Sequence, residues 1–318
     1  MKIVLPGGTG QVGTLLTRAF LADGHDVVVV ARSQSKLART VTWDGQTLGD
    51  WARELDGADA VVNLAGRTVN ARQTDANLKE MMESRVDSTR VVGEAIGQAK
   101  QPPKVWLQSS AATIYAHRYD AANDEMTGLI GGGEPGVPAY WERSVEIARA
   151  WERAQREANT PRTRKVVLRT TLVMGPGAGG VFDVLMNLTR FGLGGALGDG
   201  AQYVSWIHDE DFANAVKWLI THEELAGEFN MGSPNPLPQK EFMRVLRGAY
   251  GMPIGLPAMK WMAEIGARVM QTDTELVLKS RRVAPARLLQ AGFTFAYPHW
   301  EAAAKDLVAR WLKERKQQ

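Results

Sequence analysis

The sequence predicts an α/β protein with a doubly wound parallel sheet and a smaller, mostly helical C-terminal lobe. Up to about residue 174, short β-branched runs alternate with longer segments in which apolar residues recur at helical spacing. A glycine cluster joins the first of these runs to the first helix, and beyond residue 174 the chain becomes rich in glycine and then in helical patterns. Alternating strands and helices favour a parallel sheet covered by helices, with ligands at the carboxyl ends of the strands.

The first thirteen residues contain the most informative motif. Ile3 to Leu5 form a short apolar run that predicts a buried strand, and the residues after the glycine cluster have helical spacing. Gly8, Gly10 and Gly13 have the spacing G-x-G-x-x-G, and Gly7 begins a wider variant of it. Glycines at these positions permit a tight turn and let a pyrophosphate approach the backbone at a helix N-terminus. We interpret the motif as a dinucleotide-binding turn; the alternative is a glycine-rich turn without a ligand.

The end of the second predicted strand indicates which dinucleotide binds. Val27 to Val30 lead into Arg32-Ser33, about twenty residues after the glycines, where a ribose partner is expected. An acidic residue there would accept a hydrogen bond from the 2′-hydroxyl and favour NAD. Arg32 cannot accept one, but its guanidinium matches a 2′-phosphate, with Ser33 and Lys36 close by. The sequence therefore predicts NADP(H), against the alternative of a solvated arginine after a strand.

Composition narrows the class of protein. The chain has 318 residues, of which 44% are hydrophobic and 23% charged, and its formal net charge of +3 comes from dispersed basic residues. These values predict a globular protein without a nucleic-acid partner. There is no cysteine, and the five histidines lack metal-ligand spacing, so we expect neither disulfides nor a metal site. We also expect no signal peptide, no membrane partner and a cytoplasmic location, because every apolar run is short.

Further strands and helices follow from the same patterns. Strands are predicted at 40–43, 58–65, 104–110, 165–169, 203–207 and 228–231. Helices are predicted at 51–55, 78–96, 142–159, 181–191, 211–221, 241–250, 259–270, 285–290 and 300–312. We expect residues 1–174, completed by 203–232, to form a nucleotide-binding domain. Residues 175–202 and 233–318 form the expected smaller lobe.

These motifs and several later ones resemble the extended short-chain dehydrogenase/reductase superfamily. The shared motifs are the glycine turn, Asn63-Leu64-Ala65-Gly66, Ser109-Ser110 and Arg169-x-x-x-Val173-x-Gly175-Pro176. More narrowly, the chain is similar to the epimerase-like branch often labelled sugar-nucleotide epimerases. That resemblance rests on Gly192 to Gly200, Ser205 to His208 with Asp211, Asn230 through Pro236, and Arg282 to Phe293 with Tyr297-Pro298. The similar motifs cover nearly the whole chain, and the resemblance implies that a C-terminal module typical of this branch begins at about residue 250 of the smaller lobe.

The resemblance implies a Rossmann-type fold that binds NADP, with the smaller lobe receiving the substrate. The implied cofactor contacts lie in the glycine turn, after the second strand and after the fourth strand. They are Gly7, Thr9, Gly10, Gln11, Val12, Gly13, Arg32, Ser33, Leu64, Ala65 and Gly66. Glu80 and Ser84-Arg85 match a family motif on the helix after the fourth strand. An arginine there would suit a phosphate, and the alternative is an ordinary surface arginine. Val173 resembles the residue beside the nicotinamide. Pro6 departs from the Ser or Thr that is usual before the glycines, which removes a donor from the turn.

The catalytic pair of the superfamily is missing. Related enzymes use Tyr-x-x-x-Lys with a nearby Ser or Thr, and the lysine lowers the pKa of the tyrosine that exchanges a proton while the nicotinamide exchanges a hydride. No tyrosine here has a lysine four residues later, and no lysine lies between Lys104 and Lys165. Another cation, such as Arg143 or Arg149, would have to supply the roughly 4 kcal/mol that brings a tyrosine pKa from about 10 to about 7.

The candidate catalytic residues are Ser109 and Ser110, at the end of the fifth predicted strand, and Tyr115, shortly after it. Tyr115 is our first choice of proton donor, and the alternative for each is strand-end hydrogen bonding or core packing. Two functions stay open. The first is an NADP(H)-dependent oxidoreductase or epimerase, monomeric or homodimeric, that acts on a small molecule such as a nucleotide sugar. The second is a non-catalytic NADP(H)-binding sensor or scaffold.

Overall fold

Seven parallel strands form the central sheet of the computed structural model, which describes residues 1–69, 74–138, 140–258 and 275–316. Numbered in chain order, they are β1 (Lys2–Pro6), β2 (Asp26–Ala31), β3 (Arg39–Thr42), β4 (Ala60–Asn63), β5 (Val105–Ala111), β6 (Arg164–Thr170) and β10 (Gly227–Met231). Their order across the sheet is β10-β6-β5-β4-β1-β2-β3. β1 pairs with β2 on one side and with β4 on the other. The direction of winding therefore reverses at β1, and sheets of this type bind ligands beside the carboxyl end of that strand.

Helices cover both faces of this sheet. In the described ranges they are α1 (Gln11–Ala22), α2 (Asp75–Gln98), α3 (Tyr140–Glu157), α4 (Val181–Arg190), α5 (Asp209–Thr221), α6 (Gln239–Tyr250), α7 (Glu275–Leu278), α8 (Ala286–Gln290) and α9 (Trp300–Arg315). Short 3-10 helices occur at Asp50–Leu55 and Ala112–Ile114. The apolar stripe of α1, including Leu16 and Phe20, packs with α5 against one face. α2 and α3 cover the other face, where Trp106 of β5 is buried.

A second core joins the C-terminal helices to one another. It contains Phe182 and Met186 of α4, Phe242 of α6, and Trp300 and Trp311 of α9. The rings of Phe242 and Trp300 stack with centroids 4.0 Å apart, and the indole N–H of Trp300 donates to the Phe242 carbonyl at 2.9 Å. Because each large apolar side chain that is fully buried contributes about 1.5–3 kcal/mol, this cluster accounts for much of the stability of the lobe.

The structure confirms the predicted fold class and corrects one strand. Residues 203–207 were expected to form a single strand but form β8 (Tyr203–Val204) and β9 (Trp206–His208), which belong to different two-stranded sheets. β8 pairs antiparallel with β11 (Leu237–Pro238), and β9 pairs parallel with β7 (Leu172–Met174). The run divides at Ser205 because its two halves pair with different strands, and the Ser205 hydroxyl accepts from the Val283 N–H at 2.8 Å. β7 and β11 were not predicted, and the predicted helix at 259–270 lies outside the described residues.

Candidate functional site

The glycine turn between β1 and α1 packs tightly against the loop after β4. Gly7 has φ +76°, a conformation that favours glycine, and its N–H donates to the Val30 carbonyl at 2.8 Å. A Cβ at Gly7 would lie 2.6 Å from the backbone of Ala65. A Cβ at Gly13 would lie 2.4 Å from the Gly8 carbonyl oxygen. These two glycines are therefore required by the packing of strand, turn and helix.

Gly10 differs from its neighbours because the space above it is open. A Cβ there would meet only the Gly7 carbonyl oxygen, at 3.9 Å, and the φ of −71° is accessible to any residue. Gly10 is the N-cap of α1, and no side chain caps this helix. The first N–H groups of a helix attract anions when no protein group satisfies them. The turn thus has the open, uncapped geometry that a pyrophosphate requires.

Two further segments border this open space. The Ser33 hydroxyl after β2 donates to the Thr9 hydroxyl in the turn at 3.3 Å, and Arg32 beside it is exposed. On the other side, Gln11 at the start of α1 donates from Nε2 to the Ala178 carbonyl at 3.5 Å. The predicted contacts in 7–13 and 32–33 are therefore brought together, and the loop after β7 lies next to them.

The loop after β4 is held by backbone and side-chain hydrogen bonds. The Leu64 N–H donates to the Pro6 carbonyl at 2.8 Å, and the Ala65 N–H donates to Asn63 Oδ1 at 3.1 Å. A Cβ at Gly66 would lie 3.2 Å from the Arg85 side chain. Residues 64–66 are thus placed beside the glycine turn, as the motif requires.

The structure gives Arg85 and Glu80 protein partners. Arg85 is buried and donates to the carbonyls of Met81 and Arg67, both at 3.0 Å, while its guanidinium lies over the Trp151 ring. Burial lowers its pKa to about 10. Glu80 forms an ion pair with Arg67. Arg85 therefore holds the loop after β4 through its hydrogen bond to the Arg67 carbonyl. The phosphate contact expected of Arg85 stays a prediction.

Ser110 and Tyr115 belong to one buried polar network. The Ser110 hydroxyl donates to Glu152 Oε1 at 2.8 Å. Arg169, opposite Ser110 on β6, donates to both Glu152 oxygens at 2.9 and 2.8 Å, and from Nη1 to the Tyr115 hydroxyl at 3.0 Å. That hydroxyl donates in turn to Asn230 Oδ1 at 3.0 Å. The network joins β5, β6, α3 and β10 within the interior.

Asn230 extends this network to the C-terminal segment. Its Nδ2 donates to the Ala284 carbonyl at 2.9 Å and lies 3.4 Å from the Asn123 carbonyl. Its backbone N–H donates to Glu125 Oε1 at 2.7 Å, and Glu125 also accepts from the Arg287 N–H at 3.3 Å. Burial raises the pKa of Glu125, and these hydrogen bonds offset part of the rise.

The cation beside Tyr115 is not one of the two that the sequence suggested. Arg143 forms an ion pair with Asp75 at 2.5 Å, and Arg149 donates to a backbone carbonyl at 3.1 Å. Arg169 occupies this position instead, 54 residues from Tyr115 in sequence. Tyr115 is only 2% exposed, and burial raises the pKa of its hydroxyl although the charge of Arg169 opposes the rise. This environment does not lower the tyrosine pKa as the Tyr-x-x-x-Lys pair would.

Ser109 and Val173 lie outside the buried network. Ser109 is half-buried near the end of β5, and its hydroxyl makes no hydrogen bond with any residue that the structure describes. Val173 is half-buried in β7, where it pairs with Ile207 of β9. Ser109 is thus the candidate hydroxyl that retains free hydrogen-bonding capacity at the carboxyl edge of the sheet.

A lysine that no local sequence pattern indicated reaches the residues after β5 from the C-terminal segment. Lys279 Nζ donates to the Thr113 carbonyl at 2.8 Å and lies 3.6 Å from Glu275. Glu275 accepts from the hydroxyls of Thr113 at 2.8 Å and Ser144 at 2.6 Å. Ser144 is the position four residues after Tyr140, and burial lowers the pKa of Lys279. Spacing could not reveal this contact, because 166 residues separate Lys279 from Thr113.

The part of the chain that the structure describes has neither a membrane-spanning helix nor a metal-binding cluster. No helix in it combines the length and apolar character needed to cross a bilayer. No group of three or more His, Asp or Glu side chains there is arranged to hold a metal ion.

Comparison with known proteins identifies the family. The model of the NAD dependent epimerase/dehydratase family matches residues 3–232, and a domain of unknown function, DUF1731, matches residues 260–307. The epimerase family protein SDR39U1 of Bos taurus is 31% identical over 313 residues, which are 97% of this chain and 100% of that protein. The epimerase family protein YfhF of Bacillus subtilis (strain 168) is 27% identical over 97% of this chain and 98% of its own length.

A solved structure agrees with these sequence matches. The crystal structure of human epimerase family protein SDR39U1 (isoform2) with NADPH has a TM-score of 0.84 and 29% identity, covering 97% of this chain and 99% of that one. The family model spans well over half of the residues, including the glycine turn and the strand ends that border it. The chain belongs to the NAD dependent epimerase/dehydratase family.

Proposed function

We propose that the chain is an NADP(H)-dependent oxidoreductase or epimerase of the extended short-chain dehydrogenase/reductase type that acts on a small molecule. The observation that carries this proposal is the open, uncapped N-terminus of α1 at Gly10, bordered by Arg32 and Ser33. Nucleotide sugars are the first substrate class to test, because the epimerase family covers residues 3–232.

The preference for NADP(H) is supported by the side chains at the end of β2. Arg32 is exposed beside the turn, and its guanidinium suits a 2′-phosphate, while the bond from Ser33 to Thr9 holds this loop at the turn. The human relative was crystallised with NADPH. Contacts to the cofactor are assigned to residues 7–13, 32–33, 64–66 and Val173, with Glu80 and Arg85 supporting the loop after β4.

The substrate side of the site is assigned to the carboxyl ends of β5 and β6 and to the smaller lobe. Residues 1–174 and 203–232 would hold the cofactor, and residues 175–202 and 233–318 would close over the substrate. When bound, the cofactor supplies hydride exchange at its nicotinamide. The Ser109 hydroxyl, which has no hydrogen-bond partner among the described residues, would orient a substrate oxygen. At the same edge, Glu275 accepts from the Thr113 hydroxyl and Lys279 donates to the Thr113 carbonyl.

Titration tests the cofactor proposal directly. NADPH and NADH are titrated into the protein by calorimetry, and we expect tighter binding of NADPH. Arg32→Asp should weaken NADPH binding by about 10- to 100-fold, the value of one charge-assisted hydrogen bond, and narrow or invert the preference. Arg18→Asp, on the exposed part of α1, makes the same charge change away from the turn. Equal affinities for both cofactors in the unmodified protein would contradict the preference.

Activity is tested with NADPH oxidation against panels of carbonyl compounds and nucleotide sugars. For a substrate found in this way, Tyr115→Phe should lower kcat at least about tenfold if Tyr115 is the proton donor, with NADPH affinity nearly unchanged. Full activity of that variant would show that Tyr115 has only a structural role.

The second candidate function is an NADP(H)-binding sensor, and one observation favours it. The hydroxyls of Ser110 and Tyr115 are both committed to buried hydrogen bonds, so two of the three candidate catalytic residues are engaged with the protein itself. Tight NADPH binding without turnover across both panels would favour this function over the enzyme.

A further inference from the structure

A pocket rich in arginine lies on the α3 side of the sheet. It has a volume of about 300 Å³. Its lining consists of Ile114, Ile130, Arg149, Glu152, Arg153, Arg156 and Arg169, and we call it the arginine pocket. Three of its arginines occupy positions i, i+4 and i+7 of α3 and therefore share one face of that helix.

The single carboxylate of the lining is already neutralised. Both oxygens of Glu152 accept hydrogen bonds from Arg169, and one of them also accepts from Ser110. Four arginines thus face one glutamate, although the formal net charge of the whole chain is only +3. Among the described residues, the next carboxylate is that of Glu228. Its Oε1 atom lies 4.0 Å from Arg156 Nη2, a distance longer than that of a hydrogen bond.

Most of the guanidinium donors around the pocket are unused. Arg153 makes no hydrogen bond or ion pair with any residue in the described ranges. Arg149 uses one donor, to the Gly131 carbonyl. Arg169 uses three of its five N–H groups, which leaves one on each Nη atom although its side chain is only 10% exposed. A dense set of free donors with a net positive charge is the environment that anions require.

We propose that the arginine pocket binds a small ligand that carries phosphate groups. Several adjacent guanidinium forks match the oxygens of a phosphate or pyrophosphate better than a single carboxylate, and Ile114 with Ile130 offers an apolar surface to the rest of the ligand. None of the lining residues belongs to the segments assigned to the cofactor, which are 7–13, 32–33, 64–66 and Val173, so the proposal concerns a second set of residues.

Arg169 connects the pocket to the end of β5. The same guanidinium that lines the pocket donates to the Tyr115 hydroxyl. An anion bound to the unused N–H groups of Arg169 would place negative charge beside the guanidinium that donates to Glu152 and Tyr115. Occupancy of the arginine pocket is therefore coupled to the environment of Tyr115.

Calorimetric titration with inorganic pyrophosphate tests the proposal. The protein is first saturated with NADPH, so that pyrophosphate cannot bind at the glycine turn, and a second arm uses Gly10→Val without cofactor. We expect binding in both arms, and the second arm gives an answer even if NADPH does not bind. Arg153→Gln should weaken pyrophosphate binding about tenfold, the loss of one charge-assisted contact. Arg149→Gln tests the same loss of binding at a second arginine of the pocket.

Arg143→Gln is the matched control, because it removes the same charge from the same helix outside the pocket. It should change the pyrophosphate Kd less than about twofold, the level expected for a screened distant charge. Equal losses in Arg143→Gln and Arg153→Gln would overturn the proposal, and so would the absence of pyrophosphate binding in both arms. Citrate that binds as tightly as pyrophosphate would overturn the assignment to phosphate ligands.

Discussion

Individual glycines of the first turn serve different purposes that the motif alone does not distinguish. Gly7 and Gly13 have neighbours within 2.6 Å of an added Cβ, so their role is to let the backbone pack. Gly10 has no such neighbour, and its φ is negative. Backbone conformation therefore does not require glycine at this position, and only its place at the helix N-terminus does.

Substitution separates these two roles. Gly10→Val should abolish NADPH binding while the melting temperature stays close to that of the unmodified protein, because the valine fills only the space left for the pyrophosphate. Gly7→Val should instead destabilise the fold, since its Cβ would clash with Ala65 and its φ of +76° disfavours a β-branched residue. Calorimetric titration and thermal unfolding of both variants check this. Retained affinity in folded Gly10→Val would show that the turn binds no dinucleotide.

At the scale of single residues, the site residues that lie close together in sequence were predictable. The glycine spacing and Arg32-Ser33 lie within 33 residues of each other, and the structure brings them together through the hydrogen bond from Ser33 to Thr9. The partner of Tyr115 could not be found in this way, because Arg169 reaches it only through the pairing of β5 with β6. Lys279 reaches Thr113 through tertiary packing alone.

At the scale of elements, α3 is fixed to the sheet by charged groups as well as by apolar contacts. The side chains of Glu152 and Arg169 are 2% and 10% exposed, and their bidentate pair connects α3 to β6. A buried pair of this kind contributes little net stability, but the loss of one partner leaves an uncompensated charge in the interior.

Glu152→Gln should therefore lower the free energy of unfolding by about 3–5 kcal/mol, because it leaves the Arg169 charge uncompensated. Glu94→Gln is the control, since Glu94 forms an exposed pair with Arg90 on α2 and should cost less than about 0.5 kcal/mol. Urea unfolding of the two variants measures both values. A loss in Glu152→Gln as small as that of the control would mean that water or a shift of Arg169 compensates the charge.

The segment that carries Glu125 should make stability depend on pH. The pKa of Glu125 is raised by burial, so the folded chain binds a proton more tightly than the unfolded chain. This contribution to stability is complete below the unfolded value of about 4.3 and is lost as the pH rises through the folded value. Relative to Glu125→Gln, the unmodified protein should become less stable as the pH rises above about 4.3. Urea unfolding at several pH values measures the difference, and a constant difference would contradict the prediction.

Elements with strong periodicity were predictable, and elements defined by pairing were not. β1, β2 and α1 follow directly from their apolar patterns. β8 and β9 were merged in the prediction because residues 203–207 are continuously apolar apart from Ser205. Their separation depends on distant partners, β11 and β7, which no local pattern specifies.

At the scale of the whole molecule, α9 completes the second core. Trp300, Leu307, Val308 and Trp311 are almost fully buried. At about 1.5–3 kcal/mol for each buried side chain, the loss of all four is comparable with a typical net stability of about 5–15 kcal/mol. The helix is therefore essential to the fold although it lies far from the glycine turn in sequence.

A chain that ends at His299 should lose cooperative thermal unfolding and bind a dye specific for exposed apolar surface. A chain that ends at Arg315 retains the buried residues of α9 and should unfold like the full-length protein. Calorimetry and dye fluorescence distinguish the two. A cooperative transition in the shorter chain would show that the remaining helices form a core without α9.

Asn230 has a consequence for how the native protein fluctuates. Its amide and backbone groups connect the end of β5, residues 123–125, β10 and the segment at Ala284. Partial openings of a native protein occur in cooperative units. We expect the segments joined through this one buried residue to belong to a single unit. These four segments should therefore exchange their amide hydrogens with a common opening free energy, and solvent deuterium should reach the Tyr115 hydroxyl only when all of them open at once.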